Sequence, residues 1–192
     1  MLQKLVLDLE TQKEFSEVGG RNSFGKLRVS LCGVYTYKDD AYLCFAESEL
    51  AKLGEILQAA DLVIGYNIRQ FDFAVLQPYY NFSLADIPTL DILEEIEKLM
   101  GHRIRLDAIA QATLGEGKTG SGLHAIELWR AGKIEELKSY CLNDVRLTKD
   151  LYDFAQKNSK LMFQDFFEVR EIKLNFPEPA TKTNVNVQRS LF

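Results

Sequence analysis

Polar and hydrophobic residues alternate at the start of the chain. In residues 4 to 10, the leucines Leu5, Leu7 and Leu9 occupy odd-numbered positions, whereas Asp8 and Glu10 occupy even-numbered ones. Because successive side chains of a β-strand point to opposite faces, this pattern predicts a strand whose two carboxylates point the same way. The later segments LRVSLCGVYTY and AYLCFA are rich in β-branched and aromatic residues and are separated by KDD, which predicts a hairpin. The polar residues 12–27, between the first strand and this hairpin, predict a mobile loop or a wide turn.

After the hairpin, the pattern alternates between helices and short strands. An apolar stripe predicts a helix over residues 47–60. DLVIGYN and TLDIL predict short strands, with a helix that starts close to Gln70 between them. LEEIEKLMG, LDAIAQATLG and a long segment from about Ile134 to Gln156 predict three more helices. Strands that first form a hairpin and later alternate with helices predict an α/β domain with a mixed sheet.

The length and composition fit one globular domain. The chain has 192 residues, of which 46% are hydrophobic and 27% are charged, so a sizeable core is expected. The final segment, NFPEPATKTNVNVQRSLF, carries two of the four prolines and little helical periodicity. We predict a domain over residues 1–160 and a C-terminal extension over residues 161–192 that is partly extended or flexible.

Charge and cysteine content narrow the class of protein. A net charge of -5 and a pI near 5.2 argue against nucleic-acid binding by bulk electrostatics, but clustered acids that hold metal ions do not repel a polyanion. The three cysteines are widely spaced in apolar segments, which indicates small buried hydrophobes in a reducing compartment. No window approaches the roughly 18 apolar residues of a membrane span, and no signal peptide starts the chain. We therefore expect a cytoplasmic protein with no membrane partner.

Acidic residues interrupt three of the predicted elements. A solvent-facing strand would accommodate Asp8 and Glu10, but a central strand covered on both faces needs a compensating cation, either Arg/Lys or a metal. Asp72 falls in the first turn of the helix after DLVIGYN, where the helix dipole alone favours an acid. Tyr140 and Asp144 lie on the apolar stripe of the long helix, and an acid there breaks the pattern, as happens at functional sites.

Together these residues resemble a known family. D-x-E on a first strand, N-x-x-x-F-D after a later strand and Y-x-x-x-D on a late helix resemble the DEDD superfamily of 3′-to-5′ exonucleases. This is the DnaQ-like branch of the ribonuclease H-like fold, and the tyrosine is that of the DEDDy subgroup. The similarity runs from about Lys4 to Phe154. RIRLDAIAQATLGEGKTGSG and LHAIELWRAGKIEELKSYCLNDVRL are similar to YprB-type proteins and to family B polymerase proofreading domains.

The resemblance implies a ribonuclease H-like mixed β-sheet flanked by helices, and a metal-dependent exonuclease that acts on the 3′ ends of single-stranded DNA or RNA with two Mg²⁺ or Mn²⁺ ions. Asp8 is expected to bridge the two ions. Glu10 and Asp144 are expected to hold the ion that activates the attacking water, and Asp72 to support the second ion, partly through water. Tyr140 is expected to orient the water through its hydroxyl.

Four further residues are candidates for substrate contact. Thr11 follows the first acidic motif, and Asn67 and Phe71 match the second. Asn67 also fits a turn or a helix cap, and Phe71 also fits the core. Lys118 lies in GEGKTGSG, which does not match a P-loop because Ala112 stands where the motif needs glycine.

Two features of the sequence have two interpretations each. Asp91, in TLDIL, fits either a place near the acids or a structural role. Between residues 101 and 133, basic residues outnumber acidic ones, which fits either a patch that follows a nucleic-acid backbone or a solvated face. The basic residues are Arg103, Arg105, Lys118, Arg130 and Lys133.

Two other functions fit the same fold. One is a non-catalytic module that binds a nucleic-acid end or a helicase or polymerase partner, and the other is an endonuclease of the wider ribonuclease H-like group. All four carboxylates of the motifs are present, which favours catalysis. The sequence leaves the choice between DNA and RNA, and the oligomeric state, open.

Overall fold

A five-stranded mixed sheet forms the centre of the computed structural model, which describes residues 2–117, 122–165 and 167–176. Its strands are β1 (Lys4–Thr11), β2 (Val29–Thr36), β3 (Ala41–Ala46), β4 (Leu62–Gly65) and β5 (Thr89–Asp91). They lie in the order β3-β2-β1-β4-β5. β1 pairs antiparallel with β2 and parallel with β4, so the predicted mixed sheet and the predicted β2–β3 hairpin are confirmed.

Six α-helices flank the sheet in the described part of the chain. They are α1 (Leu50–Ala59), α2 (Asp72–Leu76), α3 (Ile92–Met100), α4 (Leu106–Leu114), α5 (Gly122–Arg130) and α6 (Ile134–Asn158). The helix predicted over residues 47–60 starts as a 3₁₀ turn, Glu47–Glu49, and becomes α-helical only at Leu50. α2 is shorter than expected and starts at Asp72, and α5 was not predicted at all.

Both faces of β1 are covered, which explains its sequence pattern. Leu5, Leu7 and Leu9 belong to a core cluster with apolar residues of α1 and α2. Val6 packs on the other face, in a cluster that includes residues of α3, α4 and α6. Since side chains alternate along a strand, Asp8 and Glu10 share the face of Val6, toward α6.

A second, two-stranded sheet follows α6. It consists of β6 (Lys160–Gln164) and β7 (Val169–Lys173), and Leu161 and Ile172 are buried in the same cluster as α6. The Met162 N–H donates to the hydroxyl oxygen of Thr113 on α4 at 2.9 Å, and that hydroxyl donates back to the Met162 carbonyl at 3.1 Å. This hairpin was not predicted, because its strands are short and carry charged residues.

Some residues that carry expectations lie outside the described part of the chain. They are Lys118 and residues 177–192, which make up most of the segment expected to be extended or poorly ordered. The division of the chain at residue 160 stays a prediction. Within the described ranges, no helix is both long and apolar enough to cross a membrane.

Candidate active site

Three carboxylates from two distant parts of the chain meet beside the central strand. One oxygen each of Asp8, Glu10 and Asp144 lies within 4.8 Å of the other two. Glu10 and Asp144 are buried, and Asp8 is partly buried. Such a concentration of negative charge away from water is costly unless cations neutralise it.

The register of β1 sets the direction of the first two acids. Asp8 lies opposite Gly33 of β2, and Glu10 lies opposite Leu31. The pairing shifts between Glu10 and Thr11, where the strand has a bulge or irregularity. Bulges are frequent next to active sites because they change the direction of the side chains around them.

Gly33 allows α6 to approach the sheet at the level of Asp8. A Cβ atom at Gly33 would lie 2.9 Å from Cγ2 of Val145 and 3.0 Å from Sγ of Cys141. The Cys141 thiol also donates to the carbonyl oxygen of Asp8 at 3.8 Å. Because α6 packs this closely, Asp144, on the turn between Cys141 and Val145, reaches the carboxylates of β1. The glycine in a strand interior was the sequence signal for this contact, and sequence reasoning missed it.

Asp72 adds a fourth carboxylate beside β1. It is buried, it lines the same cleft as Asp8, and its Oδ1 accepts the N–H of Leu9 at 3.1 Å. Burial raises the pKa of the Asp72 carboxyl well above its ordinary value, and the negative charges of Asp8 and Asp91 raise it further. Asp72 is therefore a neighbour of Asp8, but it is not one of the three acids whose oxygens lie within 4.8 Å of one another.

Asp91 holds the turn that leads from β4 to Asp72. Its carboxylate is buried and accepts the N–H of Asn67 at 2.8 Å and that of Arg69 at 3.1 Å. It also caps α3 by accepting the N–H of Leu93 at 3.1 Å. Asn67 has a φ of 68°, a left-handed conformation that asparagine adopts more readily than most residues. Asp91 therefore has the structural role of holding this turn, and it also lies close enough to Asp72 for its charge to raise the Asp72 pKa.

A second network anchors the chain after Thr11. The Arg28 guanidinium donates to both carboxylate oxygens of Glu47, at 2.9 and 2.5 Å. Glu47 also accepts hydrogen bonds from the Gln12 amide at 3.1 Å and the Tyr79 hydroxyl at 2.5 Å. These contacts join the end of β1 to the starts of β2 and α1. They hold in place the end of the strand that carries Asp8 and Glu10.

Asp8, Glu10 and Asp72 line a cleft of about 550 Å³, and Asp144 is not among the described residues that line it. One wall is apolar and contains Phe71, whose ring meets those of Phe15 and Phe24 edge to face at 6.2 Å. Thr11 lines the cleft, is buried, and donates its hydroxyl to the Lys13 carbonyl at 3.0 Å. A volume of this size is in the range of pockets that hold small organic ligands.

Tyr140 also lines the cleft. It is buried on α6, and its ring contacts that of His124 on α5 edge to face, with 6.1 Å between ring centroids. The sequence placed Tyr140 and Asp144 on one buried stripe of the long helix, and both are buried there. It did not indicate His124, because α5 was not predicted.

The donor set fits a hard divalent cation. Mg²⁺ and Mn²⁺ prefer oxygen ligands, and Asp8, Glu10 and Asp144 offer only carboxylate oxygens. Positive charge between them would relieve the mutual repulsion of the acids. The tertiary structure thus brings together Asp8, Glu10, Asp72, Asp144, Tyr140, Thr11 and Phe71. Asn67 lies in the turn before Phe71 and is not among the described residues that line the cleft.

The comparisons with known proteins agree with this arrangement. Residues 7–156 match a family model described as RNase_H superfamily. A comparison with curated proteins gave no match. The matched range contains most of the five-stranded sheet, the four acids and most of α6, and it covers well over half of the 192 residues. The fold is a ribonuclease H-like mixed sheet flanked by helices, with an acidic cluster that can bind metal, and the chain belongs to the RNase H superfamily of nucleases.

Proposed function

We propose that this protein is a metal-dependent 3′-to-5′ exonuclease of the DEDDy subgroup, related to the YprB type, which removes nucleotides from single-stranded DNA or RNA. The observation that carries the proposal is the convergence of Asp8, Glu10 and Asp144 beside a cleft that also contains Asp72 and Tyr140. An endonuclease of the same superfamily would also need clustered acids, but it has no need of Tyr140 four residues before Asp144.

Each acid has a proposed role in holding two Mg²⁺ or Mn²⁺ ions. Asp8 is close to Glu10 and Asp144, and its charge also acts on Asp72, so it would serve both ions. Glu10 and Asp144 would complete the first site, and Asp72 would support the second, partly through water. When bound, such a pair of ions supplies positive charge for the attacking and leaving oxygens of the phosphodiester and makes water more acidic.

The other residues of the cleft would position the reactants. The Tyr140 hydroxyl would orient the attacking water by a hydrogen bond, and the ring of His124 would restrain the tyrosine side chain. The apolar wall around Phe71 would receive the base or sugar of the 3′-terminal nucleotide. The Thr11 backbone would contact the same nucleotide. Lys118 would approach a phosphate, and Asn67 would act through the shape of its turn.

The test is a nuclease assay with end-labelled substrates. Single-stranded DNA and RNA labelled at the 5′ end are incubated with Mg²⁺ or Mn²⁺ and with EDTA, and the products are separated by length. We expect a ladder that shortens from the 3′ end, that requires metal, and that disappears in Asp8→Asn and Asp144→Asn. Glu55→Gln, which removes an exposed acid of α1 away from the cleft, is the matched control and should behave as the wild type.

Two results would overturn the proposal. Internal cuts without end shortening would favour an endonuclease, and tight binding of 3′ ends without cleavage would favour a non-catalytic module. Persistent cleavage in Asp8→Asn would overturn the assignment of the metal ligands.

The setting of the protein is a further part of the proposal. Cys32, Cys44 and Cys141 are free, and burial raises the pKa of the Cys32 and Cys141 thiols well above the ordinary value, which keeps them protonated and inert. We place the protein in the reducing cytoplasm on this basis. A helicase or polymerase partner would bring this protein to the nucleic-acid strand that it shortens.

A further inference from the structure

A second cleft lies on the side of the molecule where the β6–β7 hairpin meets the loop between α3 and α4. Its volume is about 580 Å³. It is lined by Met100, His102, Arg103, Ile104, Arg105, Ala108, Phe163, Gln164, Asp165 and Arg170. Three arginines and one aspartate give the lining a positive balance in a protein whose net charge is -5.

The chemistry of this lining is divided between apolar and cationic side chains. Met100, Ile104 and Phe163 supply apolar surface and are partly buried in the core cluster of α6. The arginines are more exposed, with 86% of the Arg105 side chain and 53% of the Arg170 side chain accessible to water. Apolar surface flanked by cations suits a nucleotide chain, since its bases and sugars pack on the former and its phosphates pair with the latter.

The acids that pair with these arginines do not block such a use. Arg103 contacts Glu97 at 3.3 Å, Arg105 contacts Asp107 at 3.3 Å, and Arg170 contacts Asp165 at 3.1 Å and Glu168 at 3.3 Å. Ion pairs between largely exposed side chains are worth roughly 0–1 kcal/mol, and therefore a phosphate can replace Glu97, Asp107 or Glu168 at little cost.

The second cleft is joined to the active site by two direct contacts. The hydroxyl of Tyr66, which lines the acidic cleft, donates to the carbonyl of Ile104, which lines the second cleft, at 2.7 Å. Arg103 donates to the side chain of Asn67 and, at 3.1 Å, to that of Gln70, in the turn before Asp72. The loop at residues 102–105 thus separates the two clefts and contacts the active-site turn.

We propose that the second cleft binds the phosphodiester backbone of the substrate strand, on the 5′ side of the nucleotide that is being removed. The proposal rests on the proposed function, because it assigns the path of the same strand. It also assigns a role to two residues of the basic patch found in the sequence. Arg103 and Arg105 line this cleft, whereas Arg130 pairs with Glu17 at 2.5 Å and Lys133 pairs with Glu136 at 3.0 Å, away from it. The third arginine of the cleft comes from β7, outside that patch.

The test compares short and long strands in a variant that lacks two cations. Arg105→Ala/Arg170→Ala leaves Arg103 in place, because Arg103 also supports the active-site turn. Binding of fluorescein-labelled single-stranded DNA and RNA of about four and about fifteen nucleotides is measured by fluorescence anisotropy, since site sizes on such surfaces run from about 4 to 16 nucleotides. The buffer contains EDTA, which stops metal-dependent cleavage. Lys38→Ala/Lys52→Ala removes the same charge from exposed lysines that line neither cleft and is the matched control.

For the long strand we expect roughly tenfold weaker binding by the arginine variant, and less than twofold weaker binding for the short one. The slope of log K against log salt should decrease by about 1.4 for the long strand, because each single-strand phosphate contact contributes about 0.7. The control should match the wild type. Arg105→Gln/Arg170→Gln, which keeps more of the side-chain packing, should give the same result and serves if the alanine variant is unstable.

Several results would overturn the proposal. They are unchanged binding of the long strand, an equal loss for both lengths, or the same loss in the lysine control, which would indicate bulk charge. The outcomes also separate the two proposals. If the wild type shortens no strand but the arginine variant shows the length-dependent loss of binding, the exonuclease proposal is wrong and the second cleft still binds a nucleic-acid backbone. If the wild type shortens strands and the arginine variant shows no such loss, only the role of the second cleft is wrong.

Discussion

The buried charge of Asp72 affects the stability of the protein. Its carboxyl pKa is raised well above the ordinary value of 3.8, first by burial and then by Asp8. A carboxyl whose pKa is higher in the folded than in the unfolded state keeps its proton in the native protein when the unfolded chain has lost it. Stability therefore decreases as pH rises from the ordinary carboxyl value through the raised one.

We expect Asp72→Asn to stabilise the metal-free protein at neutral pH while it removes nuclease activity. The asparagine keeps an oxygen for the Leu9 N–H but carries no charge. Thermal unfolding in EDTA at neutral and at mildly acidic pH measures the effect, and each kcal/mol should appear as roughly 2–4 °C in Tm. The gain should shrink in acid, where wild-type Asp72 is protonated. Asp61→Asn, at a partly buried acid that accepts one N–H from Gln3, is the control and should not reproduce the gain at neutral pH.

Asp91 is a positioning residue whose loss should affect both stability and the site. Asp91→Ala leaves the N–H groups of Asn67, Arg69 and α3 without their acceptor, and we expect a loss of about 2–4 kcal/mol in the free energy of unfolding. The turn that carries Asp72 should loosen, so the Mg²⁺ concentration for half-maximal activity should rise. Urea denaturation and metal titration of activity measure the two effects. Asp61→Ala, which removes a single acceptor, should cost about 1 kcal/mol or less and leave the titration unchanged.

At the scale of elements, the close approach of α6 to β2 at Gly33 places Asp144 near Asp8 in the proposed metal site. We expect Gly33→Ala to push α6 away from the sheet, because the new methyl group would lie 2.9 Å from Val145 and 3.0 Å from Cys141. Overpacking of this kind costs about 1–3 kcal/mol, and the shift should weaken metal binding by separating Asp144 from Asp8. Val145→Ala in the same chain removes one of the two close contacts and should restore part of the metal affinity. Equal metal affinity in the wild type and Gly33→Ala would contradict the role given to this contact.

The same helix presents Tyr140 to the cleft, and its hydroxyl can be tested apart from its ring. We expect Tyr140→Phe to lower kcat by roughly 10²-fold, with KM and metal affinity nearly unchanged, because a misplacement of the reacting groups by about 1 Å can cost about 10²-fold in rate. The ring contact with His124 should persist in this variant. Steady-state kinetics with a single-stranded oligonucleotide provide the measurement. A large rise in KM with unchanged kcat would instead indicate a substrate-binding tyrosine.

At the scale of the whole molecule, the proposed metal site predicts a link between metal binding and folding. Since a cation that binds only the folded state stabilises it by RT ln(1 + [L]/Kd), a metal concentration of about 100 Kd should contribute about 2.7 kcal/mol. For a chain of this length we expect an increase in Tm of about 5–10 °C with Mg²⁺ or Mn²⁺. The increase should be abolished by EDTA and by Asp144→Asn, and NaCl at the same ionic strength should not reproduce it. Differential scanning calorimetry measures all four conditions, and an equal increase in Asp144→Asn would exclude the acidic cluster as the metal site.

Local patterns in the sequence were enough for the central strand, the β2–β3 hairpin and the long helix, whereas the set of four acids was proposed from the resemblance of three motifs to a known family. These features depend on residues that are neighbours in sequence, since the period of a strand or helix determines which side chains share a face. The alternation of β1 therefore placed Asp8 and Glu10 together, and the stripe of α6 placed Tyr140 with Asp144.

Only the tertiary structure decided how these pieces meet. The approach of α6 depends on Gly33, the turn before Asp72 depends on Asp91, and the second cleft needs Arg170 from a hairpin far along the chain. The sequence did not predict α5 or the β6–β7 hairpin. The apolar stripe of α5 and the strands of the hairpin are short, and both elements pack on partners that are distant in sequence. Residue spacing within one element determined the chemistry of this protein, whereas contacts between distant elements, which no local period encodes, decided where that chemistry is assembled.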